Sequence, residues 1–146
     1  DTAENLLVSV IDTALFAQNV AVAAESKGYG ICYIGGVRNE IEAISHLFEL
    51  PHYVLPLFAM TIGVPVKKNE VKPRLPLSVV LHENTYSVDH FADDLRAYDE
   101  LINKYYQSRS TNNRDATWTK EMAQFFRKPR REFMKQFIEN KGFNKR

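Results

Sequence analysis

Residues Gly30 to Asn39, GICYIGGVRN, decide the fold that we expect from this sequence. The run Ile31 to Ile34 has the apolar, β-branched and aromatic composition of a strand, and it ends in the paired glycines Gly35 and Gly36. Glycine permits positive φ, and it leaves backbone N–H and C=O groups open to a flat or anionic ligand because no Cβ stands in the way. Paired glycines also form simple strand-to-helix turns, and this stretch alone favours the turn.

The bulk composition narrows the class of protein. The 146 residues fit one domain, and 19 basic against 18 acidic residues leave a net charge of +1. No overall field attracts nucleic acid or an anionic membrane, so neither is an expected partner. Cys32 is the one cysteine, which excludes an internal disulfide and a cysteine-based zinc site and fits a reducing cytoplasm. Its place in an apolar strand predicts a packed, inert thiol.

The N-terminal part predicts one long helix, from Ala3 to Lys27, that ends at Gly28. Its apolar residues spread beyond one stripe, which is typical of a helix buried on several sides, in a core or at a subunit interface. Three polar residues interrupt its most apolar segment and argue against a membrane span: Asp12, Gln18 and Asn19. Because the sequence begins almost at once with this helix, we expect a further N-terminal segment to precede it.

The rest of the pattern is mixed α and β, with helices in the majority. It predicts helix Glu40–Phe48, strand Val54–Ile62, an extended segment Ser78–His82, helix Phe91–Tyr106 and closing helices Trp118–Phe126 and Pro129–Asn140. Asn39 with Glu42 resembles a capping box for the first of these helices, and Asp89 is expected to cap the long one. The inner side of the long helix is predicted to carry Leu95, Tyr98, Leu101, Ile102 and Tyr105.

A phosphate clamp is one interpretation of the tripeptide KPR. In an extended chain Lys72 and Arg74 point the same way, and Pro73 stiffens the link between them. Arginine can bind a phosphate through two parallel hydrogen bonds. A solvated basic turn is equally compatible with the tripeptide.

A second cationic segment is the loop QSRSTNNRDAT, with further basic residues beyond it. It could clamp a second phosphorylated ligand, although loops of this composition are more often merely polar. The histidines lack H-E-x-x-H spacing and predict no metal site, and no G-x-S-x-G motif provides a nucleophile. A reaction at these sites would therefore need a cofactor.

In combination, YIGGVRN, KPRLP and NNR make the sequence resemble the FMN-dependent, oxygen-insensitive NADPH nitroreductases and the related flavin reductases. The resemblance implies an α+β homodimeric flavoprotein with a central antiparallel or mixed sheet flanked by helices. FMN would lie at the subunit interface, and the helix Ala3 to Lys27 would be the central dimer helix. Residues 1–146 would form a single nitroreductase-like domain lacking its N-terminal segment, which carries an H-R-S-x-R type motif in the family. Residues 89–146 would be the C-terminal helical extension of that domain.

The resemblance also implies roles for individual residues. The flavin ring would be lined by Tyr33, Ile34, Gly35 and Gly36, with a backbone N–H of the glycine pair near N5. The FMN phosphate would be held by Lys72 and Arg74. The NADPH and substrate pocket would be bordered by Arg38, Arg109, Arg114 and Arg131, with the loop arginines on the 2′-phosphate.

The implied activity is cytoplasmic and ping-pong. Hydride passes from NADPH to the flavin N5, and a nitroaromatic, a quinone or free flavin then takes up the electrons. The flavin performs the chemistry, so no catalytic side chain is expected. Three alternatives remain open: a non-catalytic flavin or nucleotide binding module, an NADPH oxidase or disulfide reductase on the same scaffold, and a partner-binding helical domain without flavin.

Overall fold

The computed structural model describes residues 3–67 and 70–143, and the chain divides into two units. The first unit combines residues 1–67 with residues 130–146, and the second is formed by residues 68–129. The first contains α1 (Ala3–Ser26), β1 (Gly30–Ile34), a 3-10 turn (Gly35–Arg38), α2 (Ile41–Leu47), β2 (Ala59–Gly63) and α6 (Met134–Asn140). The second contains α3 (Leu77–Val80), α4 (Phe91–Ser108) and α5 (Trp118–Arg127).

Helix α1 confirms the predicted long helix. It ends where Gly28 adopts a φ of +83°, a conformation that glycine reaches without strain. Within the single chain only Ala17 and Ala21 of α1 are buried, so the core alternative of the predicted burial is wrong, and burial at a subunit interface stays a prediction. Large apolar side chains along α1 are exposed, among them Leu7, Ile11, Leu15, Phe16 and Val22. By length and composition alone, α1 is a described helix that could cross a membrane.

The sheet of the described residues is a two-stranded antiparallel pair. Strands β1 and β2 pair from Gly30 opposite Gly63 to Ile34 opposite Ala59. The predicted strand Val54–Ile62 is too long, since its first five residues lie outside β2. The predicted packed thiol is wrong, because Cys32 is exposed. Its side chain lies on a sheet of two strands, and the single chain does not cover it.

Two predicted caps are wrong because their side chains bind elsewhere. The N-cap of α2 is Glu40, without a side-chain cap, and Asn39 instead accepts hydrogen bonds from Arg131. The N-cap of α4 is His90, also without a side-chain cap, and the carboxylate of Asp89 accepts a hydrogen bond from a serine hydroxyl two residues earlier.

Two other segments differ from their predicted conformations. The prediction of an extended segment at Ser78–His82 is wrong. Backbone hydrogen bonds from Val79 to the Pro76 carbonyl and from Leu81 to the Leu77 carbonyl form the short helix α3 there. The final helix begins at Met134 and not at Pro129, because the chain turns at Arg131, whose φ is +54°.

The core of the second unit lies along one stripe of α4. Its buried residues are Tyr98, Ile102 and Tyr106, which are spaced by four and therefore share one helix face. Partly buried side chains pack against them: Leu75, Tyr105, Ala116 and Trp118. The predicted inward position of Leu101 is wrong, since its side chain is 50% exposed, and the buried Tyr106 was not predicted.

This arrangement predicts unequal effects at two neighbouring positions of α4. Ile102→Ala removes a side chain that is 1% exposed, so the free energy of unfolding should fall by about 2–5 kcal/mol. Leu101→Ala is the matched control, and it should change that free energy by less than about 1 kcal/mol. Urea unfolding followed by circular dichroism measures both. Equal losses at the two positions would contradict the burial of this stripe.

Candidate functional site

The glycine pair lies in the 3-10 turn after β1. The sequence offered two reasons for glycine at Gly35 and Gly36, a positive φ and a backbone left open to a ligand. The first reason is wrong for both residues, since among the described glycines only Gly28 and Gly142 have a positive φ. A Cβ at Gly35 would lie 3.3 Å from the Arg38 guanidinium, whereas a Cβ at Gly36 would meet nothing within 4 Å. The chain therefore leaves open space over the Gly36 backbone. This space suits a flat ligand lying on the turn.

Arg131 joins this turn from the other end of the first unit. Its Nε and one terminal nitrogen donate to Asn39 Oδ1 at 3.0 and 2.7 Å, and that terminal nitrogen also lies 3.4 Å from the Gly35 carbonyl oxygen. Its backbone holds a φ of +54°, which is costly for a residue with a Cβ and recurs at functional sites. Arg131 thus ties the glycine turn to the segment that precedes α6.

Three other predicted site residues of the first unit lie in or next to the same turn: Tyr33, Ile34 and Arg38. The guanidinium of Arg38 donates to the Leu57 carbonyl and is half-buried, so it is engaged with the segment before β2. The Tyr33 ring is exposed and meets Phe58 edge to face at 5.4 Å, and Ile34 is half-buried. A cavity of about 250 Å³ lies nearby, lined by Asn39, Glu40, Ile41, Glu42 and Phe133.

The second unit brings two of the predicted cations onto one phenol. Lys72 Nζ lies 5.3 Å from the centroid of the Tyr106 ring, and Arg114 Cζ lies 4.2 Å from the same centroid. Arg114 also forms an ion pair of 2.8 Å with Glu121. The Tyr106 ring is 4% exposed, so both cations sit on a side chain fixed in the core.

The two cations of the KPR tripeptide, Lys72 and Arg74, have different surroundings in the structure. Tyr98 donates to the Pro73 carbonyl at 3.0 Å and so anchors the tripeptide to α4. Lys72 then contacts Tyr106, whereas the side chain of Arg74 is exposed and makes no polar contact with the described residues. The neighbour that the structure gives Lys72 is Tyr106, whose ring Arg114 also contacts.

The arginine loop after α4 is bound to the last turn of that helix. The side-chain amide of Asn113 donates to the Gln107 carbonyl, and the backbone N of Arg114 lies 3.4 Å from the Tyr106 carbonyl oxygen. Arg109, the residue that ends α4, places its guanidinium carbon 5.8 Å from the centroid of the Tyr105 ring. Arg109 and Arg114 therefore contact the rings of adjacent tyrosines of α4.

The electrostatics of this cluster follow from these contacts. A hydrogen bond from Lys72 lowers the pKa of Tyr106, burial opposes that shift, and a hydrogen bond from Arg114 adds to it. The phenol in turn raises the pKa of Arg114, with a further contribution from Glu121. Tyr106 was not among the predicted site residues. The four-residue spacing from Tyr98 and Ile102 was the pattern that could have identified it.

Among the described residues, no group of three or more histidine, cysteine, aspartate or glutamate side chains could hold a metal ion.

The predicted site residues fall into two sets, one in each unit. The glycine turn with Tyr33, Arg38 and Arg131 belongs to the first unit, and the cations of KPR and the arginine loop belong to the second.

Comparisons with known proteins agree on one family. Residues 2–64 match the model described as "Nitroreductase family", and residues 72–146 match "Nitroreductase family, C-terminal domain". A Cr(VI) reductase of Pseudomonas sp. (strain G-1) is 58% identical over 99% of the chain and 59% of its own length. An FMN reductase (NADPH) of Bacillus subtilis is 43% identical, with the same two coverages.

Solved structures extend the likeness to the fold. The structure of NfrA1 from Bacillus megaterium superimposes with a TM-score of 0.94 at 48% identity, covering 99% of this chain and 60% of that one. The chain therefore has the α+β fold expected from its sequence. It spans about three fifths of the length of these relatives.

The lowered pKa of Tyr106 predicts a distinctive alkaline titration. Absorbance of ionised phenols should show one tyrosine titrating below pH 10, and Tyr106→Phe should remove this transition whereas Tyr105→Phe should retain it. Because folding lowers this pKa, the resulting stabilisation is present above the unfolded value of about 10 and disappears as pH falls through the folded value. The advantage of wild type over Tyr106→Phe should therefore grow from neutral pH toward pH 10. A difference titration with its midpoint at or above 10 would contradict the contacts of Tyr106.

Proposed function

This chain belongs to the nitroreductase family, and from that premise we propose that it is part of an FMN-dependent oxidoreductase that uses NADPH. The observation that carries the proposal is the open backbone at Gly36, where a Cβ would meet nothing within 4 Å among the described residues beyond its chain neighbours. Glycine at that position satisfies no contact or φ requirement of the chain itself, and it is accounted for by a flat ligand on the turn. The relative named FMN reductase (NADPH) supports FMN as that ligand.

The residues present fit FMN at two kinds of contact. Tyr33, Ile34, Gly35 and Gly36 would hold the ring, because the turn offers uncovered backbone beside an exposed aromatic side chain. Lys72 and Arg74 would hold the phosphate, since both side chains are exposed cations on a tripeptide that Tyr98 anchors. When bound, FMN supplies the redox chemistry, taking electrons from NADPH and releasing them to an acceptor.

The protein's own contribution is position and charge. Arg131 holds the glycine turn through Asn39 and the Gly35 carbonyl, and the backbone N–H groups of the pair would donate to a ligand atom. Its positive charge beside the turn favours an anionic ligand there. Arg38, within the turn, donates to the Leu57 carbonyl and so ties the turn to the segment before β2. These contacts would hold the glycine turn in place while substrates exchange.

The second coenzyme contact is assigned to the arginine loop. Arg109 and Arg114 would bind the 2′-phosphate of NADPH, which NADH lacks, and Arg131 and Arg38 would border the substrate pocket. Acceptors would follow NADPH at the same place in a ping-pong sequence. We propose nitroaromatics, quinones and free flavin as acceptors, and the relative named Cr(VI) reductase adds chromate to that group.

The assembly that we propose is a cytoplasmic homodimer formed through α1. The apolar side chains that α1 exposes in the single chain would be covered by the second copy. Residues 1–146 would contribute one nitroreductase-like domain to each subunit, with residues 89–146 as its C-terminal helical extension. The exposed face of α1 supports this arrangement, because isolated soluble domains rarely leave so many large apolar residues uncovered.

The coenzyme assignment predicts a selective effect of Arg109→Ala in the full-length protein. Loss of a charge-assisted contact of about 1.5–3 kcal/mol should raise the KM for NADPH by about ten- to a hundredfold. The KM for NADH should change by less than about threefold, because NADH lacks the phosphate. Arg96→Ala is the matched control, since Arg96 is an arginine of α4 in an exposed pair with Asp93. Steady-state kinetics with both coenzymes decide the matter, and equal increases for NADPH and NADH would refute the role.

A further inference from the structure

Arg109 and Arg114, the two arginines assigned to the 2′-phosphate of NADPH, have different surroundings. Arg109 places its guanidinium carbon 5.8 Å from the centroid of the Tyr105 ring and forms no ion pair with the described residues. Arg114 is bound to a carboxylate, since its two terminal nitrogens lie 2.8 and 3.2 Å from the two carboxylate oxygens of Glu121. Arginine offers the same two-nitrogen edge to a phosphate. Glu121 therefore occupies donors that the coenzyme would use.

We propose that Glu121 is a positioning residue that holds the phosphate-binding edge of Arg114 and thereby limits the preference of this chain for NADPH over NADH. The inference rests on the proposed function, because it names an internal competitor for one cation of the coenzyme site. Glu121 acts only through Arg114. Its carboxylate and the 2′-phosphate compete for the same guanidinium, so the preference is lower than the two arginines alone would give.

The ion pair lies where an anion from solvent can reach it. The side chain of Arg114 is 49% exposed and that of Glu121 is 32% exposed. An ion pair this open to water is weak, because the solvent screens the two charges. A phosphate monoester carries up to about two negative charges, whereas the carboxylate carries one. The phosphate can therefore displace Glu121, but its net affinity for Arg114 is reduced by the contact that it must replace.

Helix α5 presents the competing carboxylate from a fixed position. Asp99 of α4 accepts hydrogen bonds from the backbone N of Thr119, at 2.9 Å, and from the hydroxyl of the same residue. Glu121 lies two residues further along, in the first turn of α5. A side chain that starts from a bound helix end is held more accurately than one on a free loop. The carboxylate consequently stays close to Arg114 when the coenzyme leaves.

Arg114 has two further contacts that do not need Glu121. Its Cζ lies 4.2 Å from the centroid of the Tyr106 ring, and its backbone N lies 3.4 Å from the Tyr106 carbonyl oxygen. Glu121→Gln retains an oxygen that can accept a hydrogen bond and removes the negative charge. The substitution therefore preserves the placement of the guanidinium and changes the charge beside it. Because a like charge next to a phosphate opposes binding, its removal should raise the preference for NADPH.

The test compares the KM for NADH with the KM for NADPH in the full-length, flavin-loaded protein. Glu121→Gln should raise the ratio of KM for NADH to KM for NADPH by about two- to fivefold, through a lower KM for NADPH and with little change in kcat. Calorimetric titration with adenosine 2′,5′-bisphosphate, which carries the phosphate without the nicotinamide, should give a Kd that is lower by the same factor. Mere loss of structure would not improve recognition of one coenzyme.

Two controls accompany this variant. Asp93→Asn also removes one negative charge and also releases an exposed arginine, Arg96, so it should leave the ratio within about 1.5-fold of wild type. Glu121→Gln in the Arg114→Ala background should likewise leave the ratio unchanged, because no guanidinium remains to be released.

A ratio that stays within about 1.5-fold of wild type in Glu121→Gln, or that falls, would overturn the inference. A rise that persists in the Arg114→Ala background would overturn it as well, since Glu121 would then act by another route. Arg114→Ala alone tests the proposed function: an unchanged ratio in that variant would refute the assignment of Arg114 to the 2′-phosphate. The two failures are therefore distinguishable.

Discussion

The second unit depends on one constraint, the burial of a four-residue repeat along α4. Tyr98, Ile102 and Tyr106 form its core; the Tyr98 hydroxyl donates to the Pro73 carbonyl, and the Tyr106 ring contacts Lys72 and Arg114. The stripe therefore both packs the unit and positions its charged groups. Cations that would be mobile on a loop are instead held against a helix face, which reduces the conformational entropy that ligand binding must remove.

In the first unit, side-chain contacts likewise hold the glycine turn in place, but the groups that make them are arginines. Arg131 crosses from the C-terminal part of that unit to Asn39 and the Gly35 carbonyl, and it does so from a strained backbone conformation. Such strain persists only where surrounding contacts fix it. The turn is consequently held by two arginines, since Arg38 is also bound to Leu57, while the backbone at Gly36 stays open.

The sequence predicted elements with strong periodicity well and side-chain partners poorly. The bounds of α1 and α5 lie within one residue of their predictions, because long apolar patterns and a terminal glycine are local features. Asn39 was expected to cap α2, yet its partner is Arg131, ninety-two residues away, and no local pattern encodes that contact. For the same reason KPR was recognised as cationic, but the sharing of Tyr106 by Lys72 and Arg114 became visible only once the chain was folded.

We propose that this chain forms part of a flavoenzyme reduced by NADPH. It is tested most directly by a visible absorption spectrum of the full-length protein with FMN, recorded before and after anaerobic addition of NADPH. The account predicts a yellow protein with stoichiometric FMN whose flavin absorbance disappears with NADPH and returns when a quinone is added. A protein that binds no FMN, or whose bound flavin is bleached by dithionite but not by NADPH, would contradict it.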